Sequence, residues 1–286
     1  MQAMITPSMI HRRHLPAGVW LALVASLVAA PAFSQESVVL RLDAPVGTTT
    51  RYRTETRSWP PGGSVDSAGP NCIVTDVTTE SIIALDGEVA TVSAVVESMI
   101  TDLSGTGMGP QMNKVKLGRG RTTIRRIDRR GHTLSIEVTT PGKGFEKGGE
   151  VAEHAGGAFT LPEGPVSVGD TWTAPDSIPG GWGNSGRVAV VQITYRLERI
   201  EVEGSARVAV VSMNGVFLAW RFPGITRPDA SPAASVPGTL SGELRIDLDA
   251  RRVVSLVTML DRNWGTDRGF RTRMTKTVAL ASAAGN

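Results

Sequence analysis

The sequence has few of the side chains that usually carry chemistry. It contains one cysteine, Cys72, and four histidines in 286 residues. A single thiol excludes a disulfide-stabilised scaffold, so the fold must depend on an ordinary buried core. The position of Cys72 is typical of a small, partly buried residue at the start of a strand, and pairing between chains or a reactive thiol are the less favoured alternatives.

Sequence patterns for a metal centre or a hydrolase are also missing. After the N-terminal leader only His132 and His154 remain, too far apart in sequence to predict a metal site with Cys72. Neither a Gly-x-Ser-x-Gly turn nor a Ser-x-x-Lys pair occurs. We therefore expect no catalytic residue, no metal and no cofactor. A hydrolase built on His154 and a distant Ser185 is the least favoured alternative.

Long apolar runs are absent except for one near the N-terminus, Val19–Ala30. Basic residues including Arg12 and Arg13 precede this run, and Ala32-Phe33-Ser34 follows it with small residues at the cleavage positions. This layout predicts a signal peptide over residues 1–34, cleaved after Ser34, and a periplasmic or secreted protein without a transmembrane segment. Export by the general or the twin-arginine route stays open.

Excess charge of one sign is absent too. The net charge is +3, and two of the arginines lie in the leader, so the exported chain is nearly neutral. A nearly neutral exported chain without basic runs interleaved with aromatic residues is not expected to bind nucleic acid.

What the chain does contain is glycine and proline, 32 and 17 residues respectively, between runs that alternate apolar and polar side chains. Such runs predict antiparallel strands. One short, glycine-diluted helix is expected over Glu150–Ala158. The pattern predicts a mainly β fold, with two similar antiparallel meanders forming a curved sheet or open half-barrel and at most one or two short helices. A β-sandwich is the alternative. The main predicted strands are Thr49–Trp59, Cys72–Leu85, Val89–Leu103, Thr133–Thr139, Val188–Glu201, Ala206–Phe222, Val253–Leu260 and Phe270–Leu280.

Three landmarks recur after about 120 residues, which indicates an internal repeat. We expect a first repeat over residues 35–160 and a second over residues 161–286, together forming one continuous domain. The matched segments are Val46-Gly47-Thr48 with Val168-Gly169-Asp170, Asp86-Gly87 with Glu203-Gly204, and Asp128-Arg129-Arg130-Gly131 with Asp249-Ala250-Arg251-Arg252.

The segment Leu161–Trp172 opens the second repeat and carries the most specific motif, Pro-Val-x-Val-Gly-Asp-x-Trp. A ligand rim formed by Asp170 and Trp172 is one interpretation of this motif. A turn at Gly169-Asp170 that leads Trp172 into the core is the favoured interpretation.

Several of these segments resemble a group of exported bacterial proteins of unknown function. They are Gly47-Thr48, Arg51-Tyr52-Arg53, Leu85-Asp86-Gly87, Leu161-Pro162 and Pro165–Trp172. That group is similar in layout to the half-barrel superfamily of periplasmic lipoprotein carriers and lipid-binding lipoproteins. The resemblance implies a curved sheet that holds lipid, and it implies no catalytic residue.

Two surfaces are candidates for binding. The strand Ala206–Phe222 is apolar on both faces, so each face is covered either by core or by ligand. Its candidate ligand-binding residues are Val208, Val210, Phe217, Leu218 and Trp220. The basic segment Lys114–His132 predicts either a patch for an anionic partner or an ordinary solvated face, and its candidate residues are Arg119, Arg121, Arg125 and Arg126.

The sequence therefore favours a non-enzymatic exported protein that binds an apolar or amphipathic ligand such as lipid. An envelope-structural or protein-interaction module is the alternative, in which the apolar faces are core and the arginine-rich strands contact an envelope protein.

Overall fold

The structure is a computed structural model that describes residues 36–59, 70–106, 114–116, 118–142, 159–179, 188–221, 238–263 and 271–280. Within these ranges the chain is almost entirely β-strand and turn, with one short 3-10 turn at Ser104–Thr106. The predicted helix Glu150–Ala158 and the predicted leader lie outside the described residues. None of the described residues forms a helix that is long and apolar enough to cross a membrane.

Most predicted strands are present with nearly the predicted bounds. In chain order the strands are β1 Ser37–Val38, β2 Thr49–Ser58, β3 Cys72–Asp86, β4 Val89–Asp102, β5 Lys114–Lys116, β6 Thr122–Asp128, β7 Thr133–Thr140, β8 Val166–Ser167, β9 Thr171–Pro179, β10 Val188–Glu203, β11 Ala206–Arg221, β12 Gly238–Asp247, β13 Arg252–Asn263 and β14 Arg271–Leu280.

Twelve of these strands form one sheet in the order β7-β6-β4-β3-β2-β14-β13-β12-β11-β10-β9, with the short β5 also paired to β4. All the pairings are antiparallel. The prediction of a mainly β fold of antiparallel meanders is confirmed. Among the described strands, β7 and β9 lie at the two edges and do not pair with each other.

The two meanders are similar in detail. Strands β2, β3, β4, β6 and β7 occur across the sheet in the same order as β9, β10, β11, β12 and β13. The turn before each meander makes the same backbone hydrogen bonds. Gly47 N–H donates to Ile82 O and Ile82 N–H to Thr48 O at 2.8 and 3.0 Å, while Gly169 N–H donates to Leu197 O and Leu197 N–H to Asp170 O at 2.7 and 3.0 Å.

One of the matched landmarks is shifted from its predicted alignment. In the first repeat the Asp128 carboxylate accepts hydrogen bonds from the backbone N–H groups of Arg130 and His132. In the second repeat it is Asp247 that closes the equivalent turn, accepting from Asp249 and Ala250. Asp247, two residues before the predicted match, is therefore the counterpart of Asp128.

Strand β14 has no counterpart among the described strands of the first repeat. It pairs on one side with β13, the last strand of the second meander, and on the other with β2, the first strand of the first meander. The chain therefore joins its two meanders side by side through its final strand.

The main hydrophobic core lies on one face of the second meander. We call this the core face and define it by Val191, Ile193, Tyr195 and Leu197 of β10, which are all fully buried. Side chains from outside the large sheet cover it, and the short β1–β8 pair holds some of them in place. These covering residues are Val38, Leu40, Phe159, Leu161 and Val166.

Candidate functional site

The central motif is structural. The indole Nε1 of Trp172 donates to Thr160 O at 2.7 Å, and the Tyr195 hydroxyl accepts from Thr160 N–H at 3.0 Å. The two rings stack with centroids 5.3 Å apart. Asp170 is exposed, and its carboxylate accepts from Ser167 N–H at 2.8 Å, which closes the turn. These contacts hold the segment at Thr160 over the core face.

Because the repeats share one register, each core-face position of the second meander has a counterpart in the first. Tyr195 lies opposite Met213 on β11, as Glu80 lies opposite Ala94 on β4. Leu244 lies opposite Val211, as Arg125 lies opposite Val92. Pairing through β14 into β2 keeps these positions on the same face of the sheet.

The two repeats differ in charge at these two positions. The second meander has Tyr195 and Leu244, both fully buried in the core. The first meander has Glu80 and Arg125, and the Arg125 guanidinium donates to the Glu80 carboxylate. A charged pair thus occupies positions where the same fold accommodates an apolar pair.

The Arg125 side chain is buried, with only 5% of the residue exposed, while Glu80 keeps partial contact with solvent. Tyr52 of β2 lies on the same face; its hydroxyl donates to Val253 O at 3.4 Å. Burial raises the pKa of Tyr52 well above its ordinary value, and the Glu80 carboxylate adds to this rise. The phenol is therefore neutral, and the charges around it are those of Glu80, Arg252 and Arg125.

An apolar edge lies beside the ion pair. Ile136 and Val138 of β7 pair with Arg125 and Thr123 of β6, so all four positions share the core face. Ile136 is 37% exposed and Val138 45% exposed. Their counterparts in the second meander, Leu256 and Thr258, are only 2% and 7% exposed. The first meander therefore combines polar and apolar groups on a face that the second meander fills with core.

The predicted ligand-binding residues of β11 do not form one surface. Val208 and Val210 are fully buried on the face opposite the core face, whereas Phe217 packs against the core. An irregularity in the pairing with β10 falls at Leu218, which is about half exposed. The side chain of Trp220 lies outside the described residues. A ligand site made of these five residues remains a prediction, and the structure does not bring them together.

The predicted basic patch is divided in the same way. Arg119 is exposed in a turn before β6, and Arg121 is partly buried. Arg126 is exposed and lies 3.8 Å from the Asp86 carboxylate, on the opposite face of β6 from Arg125. The prediction that Arg125 belongs to an exposed basic face is wrong, because strand alternation turns it onto the core face, where Glu80 balances its charge.

Among the described residues, the remaining cysteine and histidine do not form a further site. Cys72 is buried at the start of β3, and burial, with a smaller effect of Asp102, raises the pKa of its thiol to about 11. His132 is exposed in the turn after β6, and His154 and Ser185 lie outside the described residues. No group of His, Cys, Asp and Glu within the described ranges can hold a metal ion.

An open groove of about 470 Å³ crosses the face opposite the core face. Its lining side chains are neutral, so it offers no charge to a ligand. The residues that line it include Gln192, Thr194, Asn214, Val216, Thr239 and Ser241.

Sequence reasoning missed Glu80 and Tyr52 as parts of a site. The available signal was the internal repeat, because aligning the two halves strand by strand places Glu80 and Arg125 against Tyr195 and Leu244. No protein-family model matches the chain, and neither does any curated protein.

Proposed function

We propose that the protein is an exported, non-enzymatic binding protein for an amphipathic ligand, and that the ligand lies on the core face of the first meander. The observation that carries this proposal is the Arg125–Glu80 pair at the register positions of Leu244 and Tyr195. The resemblance of the sequence to lipid-binding half-barrel proteins supports the same class of ligand.

Stability alone does not account for the pair. Removing two charges from water costs several kcal/mol per ion, and their mutual attraction recovers this only when the geometry is good. Replacing a buried ion pair with apolar residues of similar volume is often neutral or stabilising. Since Leu244 and Tyr195 pack well in the second meander, a charged pair in the first meander supports a role in binding.

The chemistry of the pair favours a particular headgroup. Arg125 supplies hydrogen-bond donors and Glu80 supplies acceptors, while together they carry no net charge. Thr123, two residues from Arg125 on the same face, adds a hydroxyl that can donate and accept. Such a site suits a neutral or zwitterionic group with both donors and acceptors, such as glycerol hydroxyls, better than a lone carboxylate.

The apolar part of the ligand would lie along β7. Ile136 and Val138 are exposed and adjoin Arg125 and Thr123 across the β6–β7 pairing. Covering two such side chains removes apolar area from water at roughly 25 cal/mol per Å². An acyl chain on these side chains would leave its headgroup beside the ion pair.

Calorimetric titration of the purified protein with monolauroylglycerol and with laurate tests this proposal, because the two share one acyl chain. We expect saturable binding of the glycerol ester and at least about tenfold weaker binding of the carboxylate. Absence of binding by both, or tighter binding of laurate, would contradict the proposed ligand class.

A further inference from the structure

The two edges of the large sheet differ in how they are protected. Edge strand β9 contains Pro175 and Pro179, which have no N–H to offer to another strand. Edge strand β7, Thr133–Thr140, contains no proline and no lysine, and its residues from Leu134 onward are all exposed. An edge of this composition is a template for pairing with another strand.

The second meander shows how such an edge is occupied. β13 is the counterpart of β7, and β14 pairs antiparallel with it from Ser255 to Asn263. The irregular pairing at Leu134 in β7 recurs at Val254 in β13, and β14 still pairs beyond it. The bulge at Leu134 therefore does not prevent pairing from Ser135 as far as the second irregularity of β7, at Thr139.

Among the described strands, none occupies the equivalent position beside β7. The stretch that follows β7 in the chain, residues 143–158, lies outside the described residues. Its sequence is rich in glycine and has no alternating apolar pattern. A strand that paired with β7 would therefore come from residues outside the described ranges or from another molecule.

We propose that β7 pairs antiparallel with β7 of a second copy, around a two-fold axis at Ile136. An isologous contact of this kind makes a closed dimer. It continues the core face of one copy into that of the other, with each Ile136 facing its equivalent. The regular pairing is short, so the dimer is weak, with a Kd of about 10 µM.

Charge complementarity selects this register. Around Ile136, Glu137 of the second copy lies opposite Ser135, and Ser135 pairs on its other side with Arg126. Arg126 and the second copy's Glu137 are then two strand spacings apart, about 10 Å between Cα atoms, within reach of an extended arginine. Moving the axis by one residue to Glu137 would place two carboxylates directly opposite each other, which is unfavourable.

Sedimentation equilibrium of the full chain without ligand tests the dimer. The wild type should self-associate reversibly. Arg126→Glu and Glu137→Arg should each weaken association by about fivefold, and the double variant should restore it. Both side chains are exposed and lie on the face opposite the proposed ligand site, so the test does not depend on ligand binding. A monomeric wild type, or a double variant as weak as the single variants, overturns the proposal.

Disulfide trapping fixes the register. On a Cys72→Ala background, Ile136→Cys should cross-link to itself, whereas Val138→Cys should not, because its equivalent lies four residues along the paired strand. Efficient cross-linking of Val138→Cys but not Ile136→Cys overturns the register. A monomer whose β7 amides are protected from hydrogen exchange overturns the dimer, because the strand beside β7 would then come from the same chain.

Discussion

Arg125 and Leu244 occupy the same register position in the two meanders, each opposite a valine of the preceding long strand, Val92 for Arg125 and Val211 for Leu244. One is a buried cation paired with Glu80, and the other is a buried apolar side chain. The scaffold therefore tolerates either chemistry at this position. The first meander therefore has a charged pair on the face where the second meander has apolar core.

Breaking the ion pair on one side only should destabilise the protein. Arg125→Leu leaves the partly buried Glu80 carboxylate without its cation, at a cost of about 3 kcal/mol. Glu80→Met with Arg125→Met replaces both charges by side chains of similar length, and should leave the free energy of unfolding within about 1 kcal/mol of wild type. Urea denaturation measures both. An Arg125→Leu variant as stable as wild type would mean that water solvates the Glu80 carboxylate well enough to replace its ion pair with Arg125.

The hydroxyl of Tyr195 should contribute more to stability than that of Tyr52. Tyr195→Phe leaves the buried N–H of Thr160 without its acceptor, at a cost of about 1–2 kcal/mol. Tyr52→Phe removes a long hydrogen bond of 3.4 Å to Val253 O and a side-chain interaction with Thr50, and should cost about 0.5 kcal/mol. Thermal or urea unfolding compares the two variants, and equal losses would argue against the anchoring role of Thr160.

The turn glycines should be sensitive to alanine because of their backbone conformation. Gly169 has a φ of 96°, and a Cβ there would meet nothing within 4 Å. Gly169→Ala should therefore cost about 1 kcal/mol through backbone strain alone. The control is Gly164→Ala in the same segment, also in open space but without a positive φ. It should change the free energy of unfolding by no more than about 0.5 kcal/mol. Equal effects would contradict this explanation.

The Cys72 thiol should be unreactive in the folded protein. Its pKa is raised from an ordinary value of 9.0 to about 11, so little thiolate is present at about pH 9. The pKa of the thiol is higher in the folded than in the unfolded protein, so burial of the neutral thiol favours the folded state. This contribution to the free energy of unfolding is complete below pH 9.0 and is lost as the pH rises through about 11. Alkylation with iodoacetamide at about pH 9 should be slow in buffer and fast in concentrated urea. Similar rates in both would place the thiol on the surface.

Much of the fold was predictable because its strands alternate regularly and its turns carry glycine. Leu85-Asp86-Gly87 and Glu203-Gly204 marked two hairpins, and β3, β4, β10 and β11 follow with nearly the predicted bounds. The bridging role of β14 was not predictable, since alternation indicates a strand but not its neighbours. The same limit applies to β1 and β8, which are too short to show a period.

The candidate site was less predictable, for a physical reason. Arg125 lies in a basic run with Arg121 and Arg126, and in sequence such a run is typical of a solvated face. Its burial depends on Glu80, which lies two strands away in the sheet. The apolar residues of β11 were predicted as buried, but periodicity does not distinguish core from ligand-covered surface. Val208 and Val210 are buried on the face opposite the core face.

The most direct test of the central claim is the affinity for monolauroylglycerol of the Glu80→Met, Arg125→Met double variant. The matched control replaces Arg51 and Glu97 with methionine. These two residues form an exposed ion pair in the same repeat, with 2.7 Å between the guanidinium nitrogen and the carboxylate oxygen. If the buried pair binds the headgroup, calorimetry should show a loss of at least about tenfold for the first variant and no change for the control. Equal affinity of wild type and both variants would contradict the claim that Arg125 and Glu80 form the binding site.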